Sequence, residues 1–139
     1  MQVRCAASLC AVVAAGMIAG CGGVVSSDLF VVERSGSSPH ARLTLLVNEE
    51  GGVTCNGRQA PKLDDPQIIK ARDIQEDLLK PATNHLSLPP RPGSVLSYRV
   101  RDENGTVRFS DNSAGQPAVL RELQLFVLQT AQQSCHLPE

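Results

Sequence analysis

Five cysteines, Cys5, Cys10, Cys21, Cys55 and Cys135, and three histidines, His40, His85 and His136, carry most of the chemistry available to this chain of 139 residues. A thiolate can attack an electrophile, bind a metal or close a disulfide, and an imidazole can act as base or ligand. Metal ligation favours close pairs, yet there is no Cys-x-x-Cys and the histidines are scattered. No metal and no cofactor is expected. Nucleophilic catalysis needs a Ser or Cys beside a base. Gly-x-Ser-x-Gly is absent, and Ser37-Ser38-Pro39-His40 brings serine near histidine only within a loop-forming run. His85 and His136 stand apart from any partner. Glu49-Glu50 and Asp64-Asp65 are adjacent acids whose side chains diverge, which suits turns and caps. Asp73 and Asp77 share a helix face, but no histidine or third acid joins them. Phosphate, dinucleotide and calcium loops are also missing. No catalytic residue is assigned, and the chain is read as a non-enzyme. The contrasting reading is a small hydrolase or thiol enzyme working through Cys55 or Cys135.

The N-terminus says where the chemistry takes place. Arg4 precedes an apolar run from Ala6 to Ala19, too short for a comfortable membrane span. A basic start, an apolar middle and small residues before a cut read as a secretory signal. Ile18-Ala19-Gly20-Cys21 resembles a bacterial lipobox. The resemblance implies cleavage before Cys21 and lipidation of its thiol, with acyl chains such as palmitate. It places the protein on the outer, extracytoplasmic face of the cell membrane. The expected organisation is a signal peptide over 1–20, a lipidated tether over 21–28 and one domain over 29–139. Cys5 and Cys10 then leave with the signal and Cys21 goes to lipid, so Cys55 and Cys135 remain. An exported compartment permits a disulfide between them. It would close a loop of about 80 residues, worth roughly 4 kcal/mol in the chain-entropy model. A metal pair or a reactive cysteine stays open as the alternative, although zinc is poorly served by this separation.

Composition narrows the partners. Removal of the 20-residue signal takes away only Arg4, leaving 12 basic against 14 acidic residues, a net charge of −2. A near-neutral chain with no basic cluster is not expected to bind nucleic acid or to adhere to membranes through a polybasic patch. With three Phe, one Tyr and no Trp, stacking platforms are scarce, and Leu, Val and Ile must build the core.

The remaining pattern predicts the scaffold. Leu29 to Glu33 reads as a strand, broken at Ser35-Gly36-Ser37-Ser38-Pro39. Leu43, Leu45 and Val47 alternate on a second strand, and Val53-Thr54-Cys55 returns beside it before an Asn56-Gly57 turn. Asp65-Pro66 opens a helix with Asp65 as N-cap. Ile68, Ala71, Ile74, Leu78 and Leu79 form its apolar arc, and Pro81 ends it. The Pro-rich stretch 82–94 is an extended connection, read as a rigid loop rather than a ligand for a polyproline-binding module. Val95 to Arg101 and Thr106 to Ser110 form a hairpin, for which Asn104-Gly105 suits a type I′ turn. Arg99, Arg101 and Arg108 fall on its polar face, able to meet an acidic partner or anion, with Asp102 and Glu103 near enough to offset them. Gln116-Pro117 opens a last helix running to about Ser134. Val119, Leu120, Leu123, Phe126, Val127 and Ala131 form its stripe. Leu125 and Leu128 lie outside that stripe and call for cover from the N-terminal strand or a partner. The fold class is α+β: an antiparallel sheet of four to five strands with two helices packed on one face.

The segment from Pro92 through Leu96-Ser97-Tyr98-Arg99-Val100, Gly105-Thr106-Val107 and Ser110-Asp111 to Pro117, Leu120 and Leu123 resembles the C-terminal half of emfourin-type inhibitors of thermolysin-like metalloproteases. Leu88-Pro89 after the first helix also fits. The resemblance covers about a third of the chain and implies an inhibitor of a protease. The lipid anchor, the two cysteines and the longer N-terminal region depart from that pattern. The whole chain also resembles the small lipoproteins of high-GC, actinobacterial-type bacteria, and ten Arg against three Lys fits that source. The leading expectation is a lipid-anchored cell-envelope module that binds another protein without catalysis. An emfourin-like protease inhibitor is the alternative.

Overall fold

The computed structural model describes residues 27–138. Cys5, Cys10, Cys21, the signal and nearly all of the tether lie outside them. The described chain runs β1 (Asp28–Gly36), β2 (Leu43–Asn48), β3 (Val53–Cys55), β4 (Arg58–Ala60), α1 (Asp65–Thr83), β5 (Leu96–Asp102), β6 (Gly105–Ser110) and α2 (Ala118–Gln133). The strands form one sheet in the order β4-β3-β2-β1-β5-β6. Every neighbouring pair is antiparallel. The class is α+β, with six strands rather than four to five.

The additional strand is β4. Asn56 and Gly57 both take positive φ, 50° and 79°, and so form the tight turn expected there. Arg58-Gln59-Ala60 then pairs back on β3. Its polar side chains carry no hydrophobic alternation, so the sequence gives no sign that the chain continues as a strand.

β1 is longer than the pattern suggests, because pairing with β5 carries it through Ser35 to Gly36. A Cβ at Gly36 would overlap the carbonyl of Val95, so only glycine lets the two strands meet there. The register shifts between Asp28 and Phe30. This bulge turns both Leu29 and Phe30 into the core. Beyond it, Val32 on β1, Leu43, Leu45 and Val47 on β2, Tyr98 and Val100 on β5, and Val107 and Phe109 on β6 share the buried face.

Ala71, Ile74, Leu78 and Ala82 of α1 and Val119, Leu120, Leu123, Phe126, Val127 and Ala131 of α2 complete a continuous core. Each large aliphatic side chain buried there contributes about 1.5–3 kcal/mol. Phe30 meets Phe126 edge-on, with centroids 5.9 Å apart, and Tyr98 stacks on Phe109 at 4.9 Å.

Four local expectations need correction. The N-cap of α1 is Asp64, not Asp65: its carboxylate accepts from Gln67 N–H, and the Gln67 side chain accepts from Asp64 N–H. α1 does not stop at Pro81 but continues to Thr83. That last turn buries Ala82, and Pro81 offers its carbonyl to Leu86 N–H. Leu79, placed on the apolar arc, is exposed. The β5–β6 turn is not type I′, since Asn104 lacks positive φ. Instead the Asp102 carboxylate accepts from the N–H groups of Asn104 and Gly105, an Asx-type turn.

After α1, the chain runs beside β6. Leu88 N–H donates to Arg108 C=O, and Arg108 N–H donates to Leu86 C=O. This strap covers the β6 edge, which would otherwise present unpaired backbone groups.

Candidate binding groove

The sheet face away from the helices is left open among the described residues. Strand alternation decides which side chains stand on it. Thr44 pairs with Glu33, Glu33 with Arg99, and Arg99 with Arg108, giving one row across β2, β1, β5 and β6. A second row runs Ser35, Ser97 and Ser110, with Arg42 just beyond the paired end of β2. Together they line a groove of about 550 Å³, closed at the β6 side by Leu88 and Pro90.

Three internal ties hold this shape. The first is Arg34, a buried cation with 8% of its surface exposed. Its Nε donates to the carbonyl of Ala41 at 2.9 Å and its guanidinium nitrogen to that of His40 at 3.1 Å. These bonds hold the turn that delivers Arg42 and Thr44, in which His40 takes φ 59°. The second is Asp111, which accepts from Ser94 Oγ at 2.7 Å and from the N–H groups of Val95 and Leu96 at 3.1 and 3.3 Å. Burial opposes its ionisation, but these donors outweigh it and hold its carboxyl below the usual carboxylate range. The third is Ser113, whose hydroxyl donates to the carbonyls of Leu88 and Pro89 and so fixes the wall.

The groove is electropositive. Glu33 pairs with Arg99 at 3.6 Å and with Arg101 at 3.0 Å. The offsetting acid is therefore Glu33 from β1 and not Asp102 or Glu103; Asp102 is occupied with the turn, and one of its oxygens is buried without a partner. Arg42 and Arg108 have no ion-pair partner among the described residues. Burial also raises the Tyr98 phenol above its ordinary range, so it stays neutral beneath this face.

The other anticipated residues fall elsewhere. Cys55 and Cys135 form a disulfide with Cα atoms 5.8 Å apart, joining β3 to the end of α2. While bridged, neither sulfur is available as a thiolate nucleophile. A cavity of about 500 Å³ lies beside the bridge, lined by Arg58, Pro61 and His136 among others. His40, His85 and His136 are all exposed, each with positive φ. No group of three or more metal-ligating side chains gathers among the described residues. Leu125 and Leu128 remain exposed on α2, at 55% and 44%. β1, one expected cover, is occupied in the middle of the sheet. No described helix is long and apolar enough to cross a membrane.

Of the groove residues, Arg99 and Arg108 were identifiable from hairpin alternation. Arg42 sits two positions before Thr44 and obeys the same alternation. What hid it was strand order: nothing local shows that β1 lies between β2 and β5. The fold and the groove define a small two-layer α+β domain with one cationic sheet face. Compared with known proteins, the chain matches no family model, no curated protein and no solved structure.

Proposed function

We propose that this chain is a lipid-anchored cell-envelope protein whose domain binds another protein through its open sheet face. Export and acylation at Cys21 rest on the lipobox-like Ile18-Ala19-Gly20-Cys21. The observation that carries the binding role is the groove itself. A domain whose mature chain is net acidic concentrates Arg42, Arg99 and Arg108 on one uncovered, internally braced face. Side-chain hydroxyls of Thr44, Ser35 and Ser97 add hydrogen-bonding groups to the same face.

Site-specific photo-crosslinking in intact cells tests this reading. A photoreactive amino acid replaces Ser97 in the groove or Glu76 on the exposed side of α1. One recurrent protein captured from position 97 and not from position 76 is the expected outcome. Equal capture from both positions, or none from 97, rejects the open face as the binding surface.

A further inference from the structure

The proposal that follows rests on the open face being the binding surface, and names what it binds. Arg42, just before β2, and Arg108 on β6 are three strand spacings apart and offset by two residues along the strands, or about 16 Å on the diagonal. Both lack an ion-pair partner among the described residues. Between them, Glu33 holds Arg99 and Arg101. The groove therefore reads as two unpaired cationic ends flanking an ion-paired centre.

We propose that it takes an extended acidic segment of a protein partner, lying across the strands. Two carboxylates seat on Arg42 and Arg108, and the residue between them passes over the Glu33–Arg99 pair. An extended peptide rises about 3.3 Å per residue, so side chains at i and i+4 lie on one side roughly 13 Å apart. That is about 3 Å less than the separation of the two backbone positions, a gap the long arginine side chains can close. The residue at i+2 falls over the centre, where Arg99 and Arg101 already engage Glu33 and the Ser97 and Ser110 hydroxyls can meet a small polar side chain. Guanidinium groups suit carboxylates because their planar donors can bond both oxygens. Leu88 and Pro90 provide an apolar stop beyond Arg108.

The groove also lies away from the strand end at which the tether enters. The tether joins β1 at Asp28, whereas Glu33 and Ser35 lie five and seven residues further along the strand. At strand rise this is about 17–23 Å from the anchored end. The groove thus stands at the end of β1 away from the point where the tether enters it.

The test uses the full mature chain in detergent micelles and a fluorescein-labelled nine-residue peptide carrying Glu-Ser-Ser-Ser-Glu at its centre. Anisotropy should show binding that weakens with salt and falls at least tenfold in the Arg42→Gln/Arg108→Gln double variant. Arg121→Gln, on the exposed side of α2, should leave it unchanged. Peptides with Gln in place of Glu, or with the two Glu adjacent, should bind at least tenfold more weakly. No binding by the first peptide overturns the proposal, as does equal binding by the adjacent-Glu peptide or by the double variant. Displacement by inorganic phosphate at the peptide's own concentration also overturns it, in favour of a small-oxyanion site. If peptides fail while crosslinks from position 97 still recur on one protein, the acidic-segment proposal falls and the binding module stands. If both fail, both fall.

Discussion

Arg34 reaches across the end of the sheet to donate a 2.9 Å hydrogen bond to the carbonyl of Ala41, with both residues buried. A charged side chain is costly to bury, and what keeps it there is the pair of backbone carbonyls, Ala41 and His40, that it satisfies. It converts a loop of polar residues into a fixed approach to β2. Arg34→Met keeps the aliphatic bulk but leaves two carbonyls without their donor. The expected loss is about 2–3 kcal/mol, in line with hydrogen bonds to charged groups. A urea titration by circular dichroism checks it, with an unchanged midpoint counting against the brace.

The Cys55–Cys135 bridge spans 80 positions of sequence. A loop of that length restricts the unfolded chain strongly, so its loss should cost roughly 4 kcal/mol as an upper figure. The double variant Cys55→Ser/Cys135→Ser should unfold at a lower urea midpoint than the oxidised wild type. Thiol counting on the oxidised mature protein should find neither of these two cysteines free. Finding both free under non-reducing conditions would restore the thiol-enzyme alternative.

Asp111 gives the stability a specific acid dependence. Its folded pKa lies below the unfolded value, so its contribution is complete above the ordinary carboxylate pKa of about 3.9. It is lost as pH falls through the folded pKa. Asp111→Asn should therefore be less stable at neutral pH by about 1–3 kcal/mol, the cost of weakening hydrogen bonds to a charged group. The gap should narrow as pH falls below the ordinary carboxylate range, because only the wild type has that contribution to lose. Urea midpoints of both proteins across that range provide the check. A constant gap would mean that the charge of Asp111 contributes nothing.

Much of the scaffold was legible because its elements obey strong local rules. Leu43, Leu45 and Val47 alternate, and all three are buried. The stripe from Val119 to Ala131 repeats at helical spacing and is buried throughout. The failures have physical causes of the opposite kind. Arg58-Gln59-Ala60 is held as a strand by backbone pairing, which side-chain pattern does not report. Pro81 reads as a terminator, but the helix runs two residues further and buries Ala82. Glu33 was missed as the partner of Arg99 because the two are 66 positions apart and meet only through the β1–β5 register. The groove needed that same register.

The anchor is the part of the proposed function that Cys21 alone can test. Acylation contributes about 0.8 kcal/mol per buried CH₂, so two or more chains hold a protein stably where one chain binds reversibly. The described domain has no membrane-crossing helix to substitute for them. Cys21→Ala removes the acylated thiol and leaves the Cys55–Cys135 pair intact, so the fold should be unaffected. Fractionation of cells expressing both forms should find the wild type in the membrane pellet as a mature species. The variant should be unlipidated and altered in mobility, because processing at a lipobox follows acylation of its cysteine. A variant that stays in the membrane fraction with unchanged size would show that the thiol of Cys21 is not the attachment point. The groove would then have to be reconsidered as facing whatever does hold the protein.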